Sequence, residues 1–309
     1  MTIFLRRAAA LLPVLLLLLA GQSWAADDKP QPQVRAEMLT STQWLADHLN
    51  DPNLVVLHVA QKRSDFEKAH IPGARFLAFE DFMVGHKGLM DELPSVEQLK
   101  QAFEKVGIGD DTKVVIYTSD WYPMAGRAYY TLDYMGHGEK SSLLNGGINQ
   151  WDAEKRPIAK GAESAQVAQG TVARVTFTPN VHERVRAVLG EVKGVPDDKA
   201  GKTVLVDSRP EKRYEDGHIS GAAHVFWEET VADPKKPVFL SPEKLRALFA
   251  SRGITPDRKA ITYCEVGLQA SHNYFVLKYL GYDDAMYDGS DYEWEEVEHL
   301  RVVKGSSAR

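Results

Sequence analysis

Four short runs along the chain are apolar at nearly every position rather than at every second one: residues 54–59, 114–117, 203–206 and 260–263. Runs of this kind read as strands buried on both faces. Between them the apolar positions recur at three- and four-residue spacing, which marks amphipathic helices. Residues 95–106 open on Ser95 with Glu97 and Gln98 in the first turn, and their counterpart 241–252 opens on Ser241 and stops at Gly253. Serine at the start and glycine just past the end are the punctuation a helix needs. Strands separated by helices pair in parallel through right-handed crossovers, so the expected class is α/β, a parallel sheet with helices on both faces. Such a sheet places its ligands beyond the carboxyl ends of its strands.

The same signals come round twice. Ala69-His70-Ile71-Pro72-Gly73-Ala74 returns as Gly217-His218-Ile219-Ser220-Gly221-Ala222, and Lys113-Val114-Val115-Ile116-Tyr117 as Lys259-Ala260-Ile261-Thr262-Tyr263. Tyr134-Met135-Gly136 returns as Tyr279-Leu280-Gly281, and Leu144-Asn145-Gly146-Gly147 with Trp151 as Tyr287-Asp288-Gly289-Ser290 with Trp294. The offsets stay between 143 and 148, so one unit of about 125 residues is written twice. Residues 37–160 are the expected first domain and 175–302 the second. Residues 161–174, rich in Ala, Gly and Gln, are the expected linker.

The first 25 residues stand outside this pattern. Arg6 and Arg7 precede a leucine-rich apolar run, and Ser23-Trp24-Ala25 has the small-x-small form of a cleavage site. The run is shorter than the roughly 20 residues a spanning helix needs. Residues 1–25 are therefore expected to be a signal peptide. The mature protein is expected to work in the periplasm, with no membrane span after cleavage.

Composition narrows the chemistry. A net charge of -6 argues against nucleic-acid binding. A single cysteine among 309 residues excludes an intrachain disulfide, thiolate zinc sites and cysteine-held iron–sulfur clusters. That cysteine, Cys264, follows directly on the run ending at Tyr263 and is followed by Glu265, Val266, Gly267, Leu268, Gln269, Ala270 and Ser271, with a helix expected over 272–280. Gly267 lets the backbone curl so that successive N–H groups face the sulfur, and the helix start adds its positive end. Such donors favour a thiolate, and a fall of about two units in pKa would make it the majority form. An isolated cysteine is otherwise a small buried hydrophobe, and position alone leaves both readings open.

These residues carry a resemblance to the rhodanese family, in particular its tandem-domain sulfurtransferases that use thiosulfate or 3-mercaptopyruvate. The matching positions are Asp207-Ser208-Arg209-Pro210 with Arg213-Tyr214, Gly217-His218-Ile219-Ser220-Gly221-Ala222, Tyr263-Cys264 with Gly267, and Tyr287-Asp288-Gly289-Ser290 with Trp294. The resemblance spans about residues 37–302 and implies two rhodanese-like domains, the second catalytic and the first not. It implies that Cys264 takes sulfur from a sulfane donor, holds it as a persulfide and passes it to a thiol or cyanide acceptor, with a protein thiol among the candidates. The loop Glu265, Val266, Gly267, Leu268, Gln269 and Ala270 would hold that anion without metal or organic cofactor. Arg213 matches the arginine that binds the anionic part of the donor; a surface ion pair with Glu211 or Glu215 is the other reading. Asp207, Arg209 and His218 match bracing positions, and His272 reads as a capping or solvent-facing residue.

Departures from the family pattern matter as well. The only formal charge in the loop is Glu265, where relatives using thiosulfate carry cations, so thiosulfate is expected to be a poor donor and a neutral or protein-borne sulfur a better one. The first copy has Thr118-Ser119-Asp120-Trp121-Tyr122 where the second has the cysteine, with no evident base for a hydroxyl nucleophile. A phosphatase on the same fold would need a loop of five residues after the cysteine and then an arginine, but position 270 is Ala and no Arg or Lys lies between Cys264 and Lys278. A non-catalytic sulfur carrier or protein-binding module is the remaining alternative to an enzyme.

Overall fold

The computed structural model describes residues 31–86, 88–161 and 175–306. The expected signal peptide, 1–25, lies outside these residues, as does the expected linker beyond Gly161. The first half runs β1 (Leu39–Thr40), α1 (Thr42–His48), β2 (Leu54–Ala60), α2 (Arg63–Lys68), β3 (Arg75–Ala78), the hairpin β4 (Val84–His86) and β5 (Leu89–Glu92), α3 (Val96–Lys105), β6 (Lys113–Thr118), α4 (Pro123–Tyr134), β7 (Ser141–Leu144) and α5 (Gly147–Ala153). The second runs β8 (Arg186–Ala187), α6 (Leu189–Gly194), β9 (Thr203–Asp207), α7 (Glu211–Asp216), β10 (Ala223–His224), α8 (Pro242–Ser251), β11 (Lys259–Tyr263), α9 (Leu268–Tyr279) and β12 (Asp284–Tyr287).

Two five-stranded parallel sheets result, ordered β1-β7-β6-β2-β3 and β8-β12-β11-β9-β10. The order is the same in both, as duplication requires. The β4–β5 hairpin stands apart from the first sheet, and in the second half it is matched by a single antiparallel bridge between Val231 and Phe239. Side chains alternate between two covered faces: Leu54 and Val56 join Leu45, Phe66 and Trp151 on one side of β2, while Val55, Leu57 and Val59 join Leu99, Phe103 and Tyr130 on the other. A strand enclosed on both sides must be apolar throughout, which explains the unbroken runs in the sequence.

Helices α3, α4, α8 and α9 lie between the sheets, so the two copies share one core. All twelve residues of α4 are buried, and α9 is buried from Ala270 to Tyr279. Gly126 permits their close approach: a Cβ there would lie 3.0 Å from the backbone N and Cα of His272. The helix starts follow the sequence signals. Ser95 Oγ accepts from the Gln98 N–H and Gln98 Oε1 from the Ser95 N–H, while Ser241 caps α8.

The shared core also encloses polar groups. Asp284 is 7% exposed with one carboxylate oxygen unpartnered, and burial raises its pKa from 3.8 to about 7 although Lys278 pulls the other way. A carboxyl raised in the folded state stabilises the protein while protonated, and that stability is lost as pH climbs from the unfolded value through the folded one. Asp284→Asn is therefore expected to raise the thermal midpoint at about pH 8 and to change it little at about pH 4. Equal shifts at both would show that burial does not govern this carboxyl.

Candidate active site

Strand β11 delivers Cys264 to the carboxyl edge of the second sheet, where Tyr263 is anchored by its hydroxyl accepting from the Ile219 N–H at 3.2 Å. The cysteine is 1% exposed. Gly267 sits at φ 84°, a left-handed conformation that costs glycine little, and α9 begins at the next residue. The helix expected over 272–280 thus starts four residues earlier, and Leu268, Gln269 and Ala270 form its first turn rather than a loop. First-turn N–H groups have no intrahelical acceptor. Here those of Gln269 and Ala270 find the sulfur and are joined by the N–H groups of Val266 and Gly267 just before the helix, so that four donors act on Cys264 Sγ.

The backbone of the cysteine is held from β12 and the turn after it. Its N–H donates to Ser290 Oγ at 3.2 Å, its carbonyl accepts from the Asp291 N–H at 3.0 Å, and the Glu265 carbonyl accepts from the Tyr292 N–H at 3.0 Å. Behind the turn Arg209 is 3% exposed and bridges two buried carboxylates, with Nη2 2.7 Å from Asp207 Oδ2 and Nη1 2.5 Å from Asp291 Oδ2. Burial works against the Arg209 charge, but Asp207 and Asp291 outweigh it and hold the guanidinium ionised. His218 stacks on Tyr214 at 3.7 Å and bonds its carbonyl through Nδ1 at 2.8 Å. Asp207 and Arg209 thus brace the turn behind the loop, while His218 is held against Tyr214 and the backbone of Val303.

Burial pushes the Cys264 thiol above its ordinary value, while the N–H groups of Ala270, Val266, Gln269 and Gly267 pull it back. Burial is the larger effect, and the raised thiol is surrounded by donors that favour its anion.

Arg213 and Glu265 meet. The Arg213 guanidinium, 56% exposed, pairs with the Glu265 carboxylate, 40% exposed, and the other Glu265 oxygen lies 3.8 Å from Arg209 Nη1. Neither Glu211 nor Glu215 takes this place. The arginine expected to receive a donor's anionic group is occupied by an acid from the cysteine loop, and the negative charge of that loop is thereby compensated.

His272 departs from its expected role. It is fully buried, stacked on Phe239 at 5.2 Å, with Nε2 2.7 Å from Thr230 Oγ1, and burial lowers its pKa to about 3. It neither caps nor meets solvent, because Phe239, Trp227 and Tyr122 enclose its ring. In the first copy, Ser119 does have a histidine beside it, which the sequence left unseen: His58 Nε2 lies 2.8 Å from Ser119 Oγ. Burial and the nearby His70 lower the His58 pKa to about 3, and its Nδ1 is buried without a partner. Among the described residues no hydrogen-bonding group holds the ring at Nδ1, and so acidic an imidazolium makes a weak base. The N–H groups of Asp120 and Trp121 are also spent on Thr118 Oγ1 and Asp120 Oδ1. Trp121 stays 36% exposed and meets Trp227 edge-on at 6.2 Å, whereas Tyr122 is a core residue.

Sequence reasoning missed Ser290 and Asp291 as the cradle of the cysteine, although the second repeat of the Leu144 motif passes through Ser290. It also missed Arg127 on α4. This fully buried guanidinium from the first copy pairs with Asp288 and donates Nη2 to the Asp91 carbonyl at 2.7 Å.

The model of the rhodanese-like domain family matches residues 41–154 and again 193–297. The sulfur carrier protein TtuD of Thermus thermophilus is 33% identical over 87% of this chain and 97% of its own length. A Mycobacterium bovis protein provisionally named thiosulfate sulfurtransferase 1 is 28% identical over 88% of this chain and 99% of its own. SseA of Escherichia coli, described as a 3-mercaptopyruvate sulfotransferase with the rhodanese fold, superposes with a TM-score of 0.72 at 24% identity, covering 82% of this chain and 98% of that one. At that identity the last likeness establishes the fold. With the family domain matched twice, the sheet order repeated and one cysteine at the carboxyl edge of the second sheet, this chain belongs to the rhodanese family of sulfurtransferases.

Proposed function

We propose that this chain is an exported sulfurtransferase that carries sulfane sulfur on Cys264 as a persulfide. The observation that supports this reading is the convergence of four backbone N–H groups on the one cysteine of the chain. In the first half-reaction the Cys264 thiolate, its proton released to water, attacks the outer sulfur of the donor. A new S–S bond forms and the donor's own bond to that sulfur breaks, its electron pair leaving with the remainder: sulfite from thiosulfate, the enolate of pyruvate from 3-mercaptopyruvate, which then takes a proton from water, and a thiolate from a persulfide. In the second half-reaction a thiolate or cyanide attacks the outer sulfur of the persulfide and restores the Cys264 thiolate. The two steps share one enzyme form, so ping-pong kinetics follow. The periplasmic assignment rests on the pattern of residues 1–25.

The Arg213–Glu265 pair bears on the donor. An anionic donor must displace Glu265 from Arg213 and then meet the freed carboxylate, whereas a neutral or protein-borne sulfur need not. Glu265→Gln is expected to raise kcat/KM for thiosulfate by about three- to tenfold, the range of an exposed ion pair plus partly screened repulsion. Steady-state rates with cyanide as acceptor measure it, and an unchanged or lowered kcat/KM would remove Glu265 from donor selection.

The likeness to TtuD favours a second reading, in which the chain carries sulfur to a protein partner without turning over small donors. Intact mass after incubation with thiosulfate, 3-mercaptopyruvate or a protein persulfide tests the shared core of both readings. A gain of about 32 Da, lost on reduction, is the expected result. Release of thiocyanate on adding cyanide, with repeated turnover, then separates enzyme from carrier. No gain with any donor would overturn the proposal. The same mass of protein recovered from the export compartment reads whether the chain begins at Ala26.

A further inference from the structure

Arg127 belongs to the copy without the cysteine, yet it reaches the loop of the other. Its side chain is wholly buried on α4, and the carboxylate it pairs with, Asp288, is 1% exposed. Removing two charges from water is costly, and apolar replacements of such pairs are often no less stable. Stability alone therefore gives little reason for an arginine here, more so because its Nε is buried without a partner.

Position gives a better one. Asp288 follows β12 and opens the turn whose next residues, Ser290, Asp291 and Tyr292, hold the backbone of Cys264 and Glu265. Its Oδ2 also accepts from the Leu93 N–H at 3.3 Å, just after the β4–β5 hairpin of the first copy, whose Asp91 carbonyl receives the other end of the guanidinium. The ion pair lies directly against Gly267: a Cβ on that glycine would sit 2.8 Å from Arg127 Nη1 and 2.9 Å from Asp288 Oδ1. Gly267 is where the loop turns into α9, and so where the converging N–H groups are aimed.

We infer that Arg127 is a positioning residue for sulfur transfer, the means by which the first copy clamps the Asp288 turn and Gly267 so that the loop closes on Cys264. This rests on the proposed role of Cys264, and its test has one readout that needs no sulfur donor. Arg127→Lys keeps the charge but loses the fork that reaches Asp288 and the Asp91 carbonyl together. Asp288→Asn keeps the shape but loses the charge. In each, kcat is expected to fall about tenfold or more with KM for the donor within about twofold, as misplacement of a reactive group predicts. Alkylation of Cys264 by iodoacetamide should become about tenfold faster, because the loop that seals the sulfur is loosened. If neither variant changes alkylation while both fold, the clamp is refuted whatever the sulfur chemistry proves to be. If alkylation changes as expected but the wild type gains no sulfur from any donor, the clamp stands and the persulfide reading fails. Failure of both variants to fold would also overturn the inference, since it would make the pair a requirement of the fold rather than a guide of the loop.

Discussion

Replacing Cys264 by serine is expected to lower sulfur transfer about 10^3-fold or more, to the background of the donor and acceptor alone, while the protein remains folded. A hydroxyl cannot form the persulfide, and no other thiol exists in the chain to take over. The fold has no reason to fail. Serine is close in size, its oxygen inherits the N–H donors of Val266, Gly267, Gln269 and Ala270, and the cradle from Ser290 and Asp291 binds backbone atoms that the substitution leaves in place. Turnover with cyanide, together with intact mass before and after exposure to donor, measures the effect. Retained transfer in a folded Cys264→Ser protein would move the reaction elsewhere and end the reading given to the loop.

Arg209→Met is expected to cost about 3–5 kcal/mol of stability, because it leaves Asp207 and Asp291 buried without their counter-charge. Asp207 is fully buried and Asp291 5% exposed, so water cannot take over the lost bonds. Burial already raises Asp291 to about 7 with the arginine present. Without it Asp291 is expected to take up a proton on folding, so the loss should be smaller at low pH than at neutral pH. Denaturant unfolding at two pH values measures both parts. A loss under about 1 kcal/mol at neutral pH would mean that the Asp207–Arg209–Asp291 bridge is solvated and does not brace the loop.

The repeat, the parallel strands and the place of Cys264 were legible in the sequence because each is local or periodic. Runs such as 54–59 and 260–263 report burial on both faces directly, and Ser95 and Ser241 mark their helices through their own side chains. The start of α9 was not legible. Residues 268–271 carry no capping signal of their own, and the helix begins there because Gly267 takes a left-handed turn braced against Arg127 and Asp288. His272 reads as a polar residue near a helix start, and only the helix crossing that places Gly126 against its backbone shows that it must be buried.

By itself, then, the sequence determined that one α/β unit occurs twice and that a single thiol stands at the carboxyl edge of the second copy, since periodicity, punctuation and residue counts require no partner. Tertiary structure alone decided what surrounds that thiol. Glu265 meets Arg213 across 52 positions, Arg127 meets Asp288 across 161, and His58 meets Ser119 across 61. Pairings over such separations are set by the packing of α4 on α9 and by the register of the sheets, which no local pattern of residues encodes.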